Sequence, residues 1–261
     1  VQPTRPAPSA LPTRAPTPPA PPPPPEPTLN AQGLRVEAPD RPAAKVTRAG
    51  EPDAGFMGRH DEYVDKARAG NIDLYMLGDS ITDFWQNRHK SNWDAHLGGW
   101  KSADFGISGD RTQHVLWRIK NGELDGVKPK VIVLLVGTNN LASNTVFAEN
   151  SVDDTAKGVK AIVDTLKEKQ PQAHILLMGV FPREDKPLND KVDALNARIA
   201  RLDDGRQVKY LNINASFTDS HGKLLKGVML RDNLHPDDKG YDLWAAAITP
   251  LLTEWLGPPA K

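Results

Sequence analysis

The sequence predicts an α/β fold, a three-layer α/β/α sandwich built on a parallel sheet of about five strands. Two observations carry that reading. Short apolar runs alternate along the chain with longer segments whose apolar residues recur every three or four positions. The strand–helix–strand order repeats several times, which means parallel strands joined by right-handed crossovers.

The chain opens differently. From Val1 to about Glu51 it is dominated by Pro, Ala and Thr, including the run from Pro21 to Pro25. Proline fixes its own backbone, donates no amide hydrogen bond and holds its predecessor extended, so residues 1–51 are expected to form a polyproline II or disordered linker ahead of a domain at 52–261. Such a spacer suits an exported bacterial protein. From that linker a secreted or periplasmic location is expected; the chain starts at Val1 with no Met and no basic-then-apolar leader, so a signal peptide, if one existed, has been removed.

Five runs rich in β-branched or large apolar residues then read as buried strands: IDLYMLG (72–78), SADFGIS (102–108), KVIVLLVG (130–137), HILLMGV (174–180) and VKYLNI (208–213). The segments between them read as helices. Val159, Ile162, Val163 and Leu166 make one apolar face, and Val192, Leu195, Ile199 and Leu202 make another. The stretch DDKGYDLWAAAITPLLTEWL reads as a closing helix.

Composition excludes several function classes. Lys+Arg and Asp+Glu are both 33, so no global field favours nucleic acid or an acidic membrane surface. The absence of cysteine removes disulfides, thiolate nucleophiles and cysteine-ligated zinc. No run reaches the roughly 18 apolar residues of a membrane-spanning helix, so no integral membrane segment is expected.

In open parallel sheets, reactive groups gather beyond the carboxyl ends of the strands. Here those ends carry Gly78-Asp79-Ser80, then Gly106-Ile107-Ser108-Gly109-Asp110, then Gly137-Thr138-Asn139-Asn140, and a late segment adds Asp232 and His235. This is an inventory for acyl transfer, which needs a nucleophile, a base, a group that orients the base, and donors for the oxyanion. Ser80 can be the nucleophile, His235 the base and Asp232 the orienter. The backbone amides of Ser80 and Gly109 and the side-chain amide of Asn139 can be the oxyanion donors. Ser80 also reads as an N-cap of the helix beginning ITDFW, a role compatible with attack because a helix N-terminus favours negative charge. Asp79 and Trp85, beside the serine, are the candidate substrate contacts.

The ordered quartet G-D-S, G-x-S-G-D, G-T-N and D-x-x-H resembles that of the SGNH or GDSL hydrolases, with Ile81 in place of the leucine that follows G-D-S. The stretch DFGISGDRTQHVLWRIKNGELDGVKPKVIVLLVGTNN is similar to the catalytic alpha subunits of the intracellular platelet-activating-factor acetylhydrolases. The resemblance runs from about Asp73 to the C-terminus. It implies a flavodoxin-like sheet, Ser80, Asp232 and His235 as a triad, Ser80, Gly109 and Asn139 at the oxyanion, no metal or organic cofactor, and a homodimer like that of the related subunits.

The expected activity is hydrolysis of short-chain esters, acetyl above all, of carbohydrates or small alcohols through an acyl-enzyme. Trp85, Trp93, Trp100 and Trp117 lie near the first two catalytic loops and could stack on sugar or fill core. Alternatives are an acylhydrolase for phospholipid-like esters, a non-catalytic carbohydrate-binding module on the same fold, and a metal-dependent hydrolase. Against the last, His60, His89, His96, His114, His174 and His221 are scattered without metal-ligand spacing.

Overall fold

A computed structural model describes residues 28–260. The Pro-rich stretch up to Pro27, for which extended or disordered backbone is expected, lies outside the described residues. The elements follow one another as α1 (Ala54–Ala69), β1 (Leu74–Gly78), α2 (Ser80–Asn87), α3 (Lys90–Leu97), β2 (Ser102–Gly106) and α4 (Thr112–Lys120). Then come β3 (Val131–Leu135), α5 (Val152–Lys169), β4 (His174–Met178), α6 (Lys186–Ile199), β5 (Val208–Leu211), the single turn α7 (Asn214–Phe217) and α8 (Asp238–Leu256).

All five expected strands form, and they pair in parallel in the order β2-β1-β3-β4-β5. That order is flavodoxin-like, and it places the topological switch between β1 and β3, from which the chain winds outward in both directions. Helices cover both faces, as the near-continuous apolar strands require. Tyr75 and Leu77 of β1 join the core beneath α1, α4, α5 and α6, while Leu74 and Met76 join the core beneath α2, α3 and α8. The faces expected on α5 and α6 are the buried ones, Val159, Ile162, Val163 and Leu166 on one and Val192, Leu195 and Ile199 on the other, while Leu202, expected on the second face, lies past the end of α6 and is half-buried.

The described part of the expected linker is docked. Residues 28–51 lie against the body as an arm: the Arg35 amide donates to Val146 O at 2.8 Å, the Ala148 amide donates to Arg35 O at 2.9 Å, and Val46 bridges Pro52. Further along, Thr112 Oγ1 donates to Pro39 O at 2.9 Å and Asn150 Nδ2 to Glu37 O at 2.9 Å. A proline lacks an amide donor but keeps its carbonyl, so a proline-bearing segment without regular structure can dock by accepting. The folded body therefore includes residues 28–51, ahead of the expected boundary at 52.

Candidate active site

The site forms where the loops after β1, β2 and β3 meet the segment that precedes α8. Ser80 is the first residue of α2 and is 6% exposed. The cap of α2 is Asp79, whose Oδ1 accepts from the Ile81 amide at 3.0 Å, and not Ser80 as the sequence suggested. With the cap supplied by its neighbour, the Ser80 hydroxyl is left to meet His235 Nε2 at 2.8 Å.

His235 Nδ1 in turn lies 2.7 Å from Asp232 Oδ2. The other carboxylate oxygen accepts from the amides of Leu234 and His235, both at 3.0 Å. Partial burial pushes the Asp232 carboxyl up, but the hydrogen bonds from the His235 ring and from these amides outweigh it and hold the pKa below the ordinary value. An ionised Asp232 keeps the proton of His235 on Nδ1, which leaves Nε2 as the acceptor of the serine proton.

The D-x-x-H segment owes its shape to a narrow loop. Met229 bridges Pro236, the Leu230 amide donates to His235 O at 2.8 Å, and Asn233 takes a left-handed φ of 54°. Phe84 of α2 stacks on the His235 ring, centroids 4.3 Å apart, and the Arg88 guanidinium lies 3.5 Å from the Phe84 centroid. Tyr241 Oη of α8 donates to Ile81 O at 2.8 Å, which fixes the helix after the base to the helix bearing the nucleophile.

Of the oxyanion candidates, Gly109 lies in the loop after β2 and Asn139 contacts that loop. Gly109 is exposed, with φ of 76°, a conformation that a side chain would strain. Among the described residues no backbone acceptor engages the amide of Ser80 or of Gly109. Asn139 Nδ2 donates to Asp110 O at 2.9 Å and lies 3.5 Å from Asp79 Oδ2.

Two expected substrate contacts are buried instead. Asp79 is 1% exposed, and burial, helped by the nearby charge of Asp110, pushes its carboxyl up to about 7 against the attraction of the Ile81 amide. Trp85 is fully buried, packed on Trp93, Tyr241 and Trp244, with Nε1 donating to Asn92 Oδ1 at 2.8 Å. Trp93 and Trp100 are buried too, while Trp117 packs against Phe56 and His60. An aromatic side chain so enclosed contributes about 3–5 kcal/mol to the fold and presents no face to a sugar.

Sequence reasoning missed Lys45, Phe84 and Arg183. Arg183, in the loop after β4, donates from Nη1 to Thr138 Oγ1 at 3.0 Å. With Glu184, Asp185, Asp232 and Asn233 it lines an open cleft of 370 Å³, and a second cleft of 460 Å³ continues past Arg183 and Glu184 to His221 and Leu224. Among the described residues one three-ligand grouping is compact enough for a cation, His89 with Asp237 and Asp238. It contains neither Ser80 nor His235, and its imidazole is already hydrogen bonded to Asp238 at 2.7 Å.

Comparison with known proteins places the chain in a family. The model of the GDSL-like lipase/acylhydrolase family matches residues 76–243. The chain is 36% identical over 211 residues to platelet-activating factor acetylhydrolase IB subunit alpha2 of Rattus norvegicus, covering 77% of this chain and 86% of that protein. Subunit alpha1 from Bos taurus is 32% identical over 223 residues, covering 83% and 91%. Among solved structures, a GDSL-like lipase from Bacteroides thetaiotaomicron aligns with a TM-score of 0.60 at 23% identity, over 75% of this chain and 97% of that one. An acetylxylan esterase from Geobacillus stearothermophilus aligns with a TM-score of 0.56 at 18% identity, over 72% and 95%. With a family model spanning most of the chain and curated relatives at 36% and 32% identity over most of their length, this protein belongs to the GDSL-like lipase/acylhydrolase family.

Proposed function

We propose that the protein is a serine esterase that removes short acyl groups, acetyl above all, from carbohydrates or small polar alcohols. The observation that carries this reading is the continuous hydrogen-bonded chain Asp232–His235–Ser80, with contacts of 2.7 and 2.8 Å. His235 takes the Ser80 proton as Oγ attacks the ester carbonyl, and returns it to the departing alkoxide. The acyl-enzyme is then cleaved by water along the same route.

Charge on the carbonyl oxygen falls to the amides of Ser80 and Gly109 and to Asn139 Nδ2. The long contact of that nitrogen to Asp79 is one that a developing oxyanion can displace. The start of α2 adds the positive end of a helix dipole at Ser80.

Support for a polar alcohol comes from the cleft beside Asp232, whose walls are Arg183, Glu184, Asp185 and Asn233 with no apolar side chain among them. A long acyl chain would need an apolar slot. Sugar recognition then rests on this polar cleft and not on tryptophan stacking.

The test compares the protein with Ser80→Ala on chromogenic esters from acetyl to octanoyl. Turnover is expected to fall steeply beyond acetyl and to vanish in the variant. Equal rates in the two proteins would remove Ser80 from the chemistry and return the chain to a binding role.

A further inference from the structure

We propose that Lys45, in the arm before α1, is a positioning residue for the oxyanion loop Ser108-Gly109-Asp110. The inference rests on the esterase reading above and adds to it a residue outside the segment matched by the family model.

Lys45 Nζ donates to Ser108 O at 2.9 Å and forms an ion pair with Asp110 Oδ1 at 2.8 Å. These are the groups on either side of Gly109, and a Cβ placed on that glycine would stand 3.7 Å from the same Nζ. The lysine side chain is 12% exposed and the Asp110 side chain fully buried, so water screens their attraction weakly.

The lysine is itself held. Its carbonyl accepts from the Asp53 amide at 3.0 Å, and Asp53 caps α1 by accepting from the Phe56 amide at 2.8 Å. The cation thus stands on the start of a helix. From the other side, Arg118 Nε donates to Asp110 Oδ2 at 2.8 Å, and Arg118 pairs in turn with Glu123, whose Oε1 lies 2.8 Å from His60 Nδ1 of α1. Asp110 is gripped between two cations, both braced against α1.

Two effects reach the reaction from this grip. The first is geometric: Ser108 O and the Asp110 side chain are fixed, so the peptide between them, with the Gly109 amide, cannot swing. Because Asn139 Nδ2 donates to Asp110 O, the second oxyanion donor is aimed by the same residue. The second effect is electrostatic. An unpaired carboxylate beside Gly109 would oppose a growing negative charge, and Lys45 together with Arg118 cancels it. Lys45 touches no reacting atom; it acts through the loop.

The experiment measures kcat and KM for 4-nitrophenyl acetate, with thermal midpoints, for the full chain and for Ser80→Ala, Lys45→Met and Lys45→Arg. Ser80→Ala is expected to be inactive. Removing an oxyanion donor outright costs about 10²- to 10³-fold, so misaiming one in Lys45→Met is expected to lower kcat about 10- to 100-fold, with KM within about twofold and a lowered midpoint in a chain that still folds, because Arg118 continues to pair with the buried Asp110. Lys45→Arg, which restores the charge and the donors, is expected to recover part of that loss. An inactive Ser80→Ala beside an unchanged Lys45→Met overturns the inference and leaves the esterase reading standing. A higher KM at unchanged kcat, or a Lys45→Met that loses its fold, also overturns it, by placing the lysine in substrate binding or in the fold alone. An active Ser80→Ala overturns the reading itself and the inference with it.

Discussion

At the scale of single residues, the site depends on a proton's address. Asp232 keeps it on Nδ1 of His235, and Asn in its place can present an amide to the same nitrogen and favour the other tautomer. Asp232→Asn is therefore expected to lower kcat by roughly 10⁴-fold with little loss of stability, checked by steady-state kinetics beside thermal melting. A variant within tenfold of the parent would show that the carboxylate does not set the tautomer. The proposed reacting groups were legible in the sequence because serine, glycine and asparagine stand where strand ends are expected and a D-x-x-H pair stands before the closing helix. Their neighbours were not. Trp85 reads equally as wall or core until the buried face of α2 is known, and Phe84, which steadies His235, is one apolar residue in an apolar pattern. Lys45 sits in a stretch whose prolines read as a spacer.

At the scale of elements, the strands and the long helices follow from periodicity, and the departures have local causes. The buried face of α1 is Phe56, His60, Tyr63, Val64 and Ala67, correctly spaced for a helix but built partly from residues that count as polar. His60 is inside because Glu123 meets it, and Tyr63 because its hydroxyl donates to Gly106 O at 2.7 Å. Neither partner can be read from the helix itself. The docked arm has a comparable signature on α5. Alanine normally stabilises a helix interior by about 1 kcal/mol over glycine. At Gly158, however, a Cβ would lie 2.3 Å from Thr112 Oγ1 and 2.7 Å from Pro39 O, the arm's own carbonyl. Gly158→Ala is expected to destabilise by about 1–3 kcal/mol in urea unfolding, the opposite sign to its helix propensity. A stabilised variant would mean that the arm yields at little cost.

At the scale of the whole molecule, two buried carboxylates each contribute a pH dependence of definite sign. Burial pushes Asp79 up to about 7 and Asp104 up to about 6, both from an ordinary 3.8. Between those limits the folded state keeps protons that the unfolded chain has released, so stability contributed by these groups is full below about pH 4 and is lost as pH rises towards 7. Asp79→Asn keeps a cap oxygen for Ile81 and removes one of the two groups. Its stability relative to the parent is expected to rise by about 2 kcal/mol from pH 5 to pH 8, measured by urea midpoints; parallel profiles would show that Asp79 is ionised throughout. Asp104 is present in both proteins and cancels.

The hydrogen bond between Ser80 and His235 joins positions 155 residues apart. The nucleophile and both other oxyanion loops lie in the first 140 residues, whereas the base arrives only with the segment that leads into the last helix. On the proposed mechanism, a chain still lacking that segment has nothing to take the serine's proton, and one face of its sheet is left without the side chains of α8. Under the proposed mechanism turnover reports that long-range contact: during refolding it can return no earlier than the segment before the final helix meets α2.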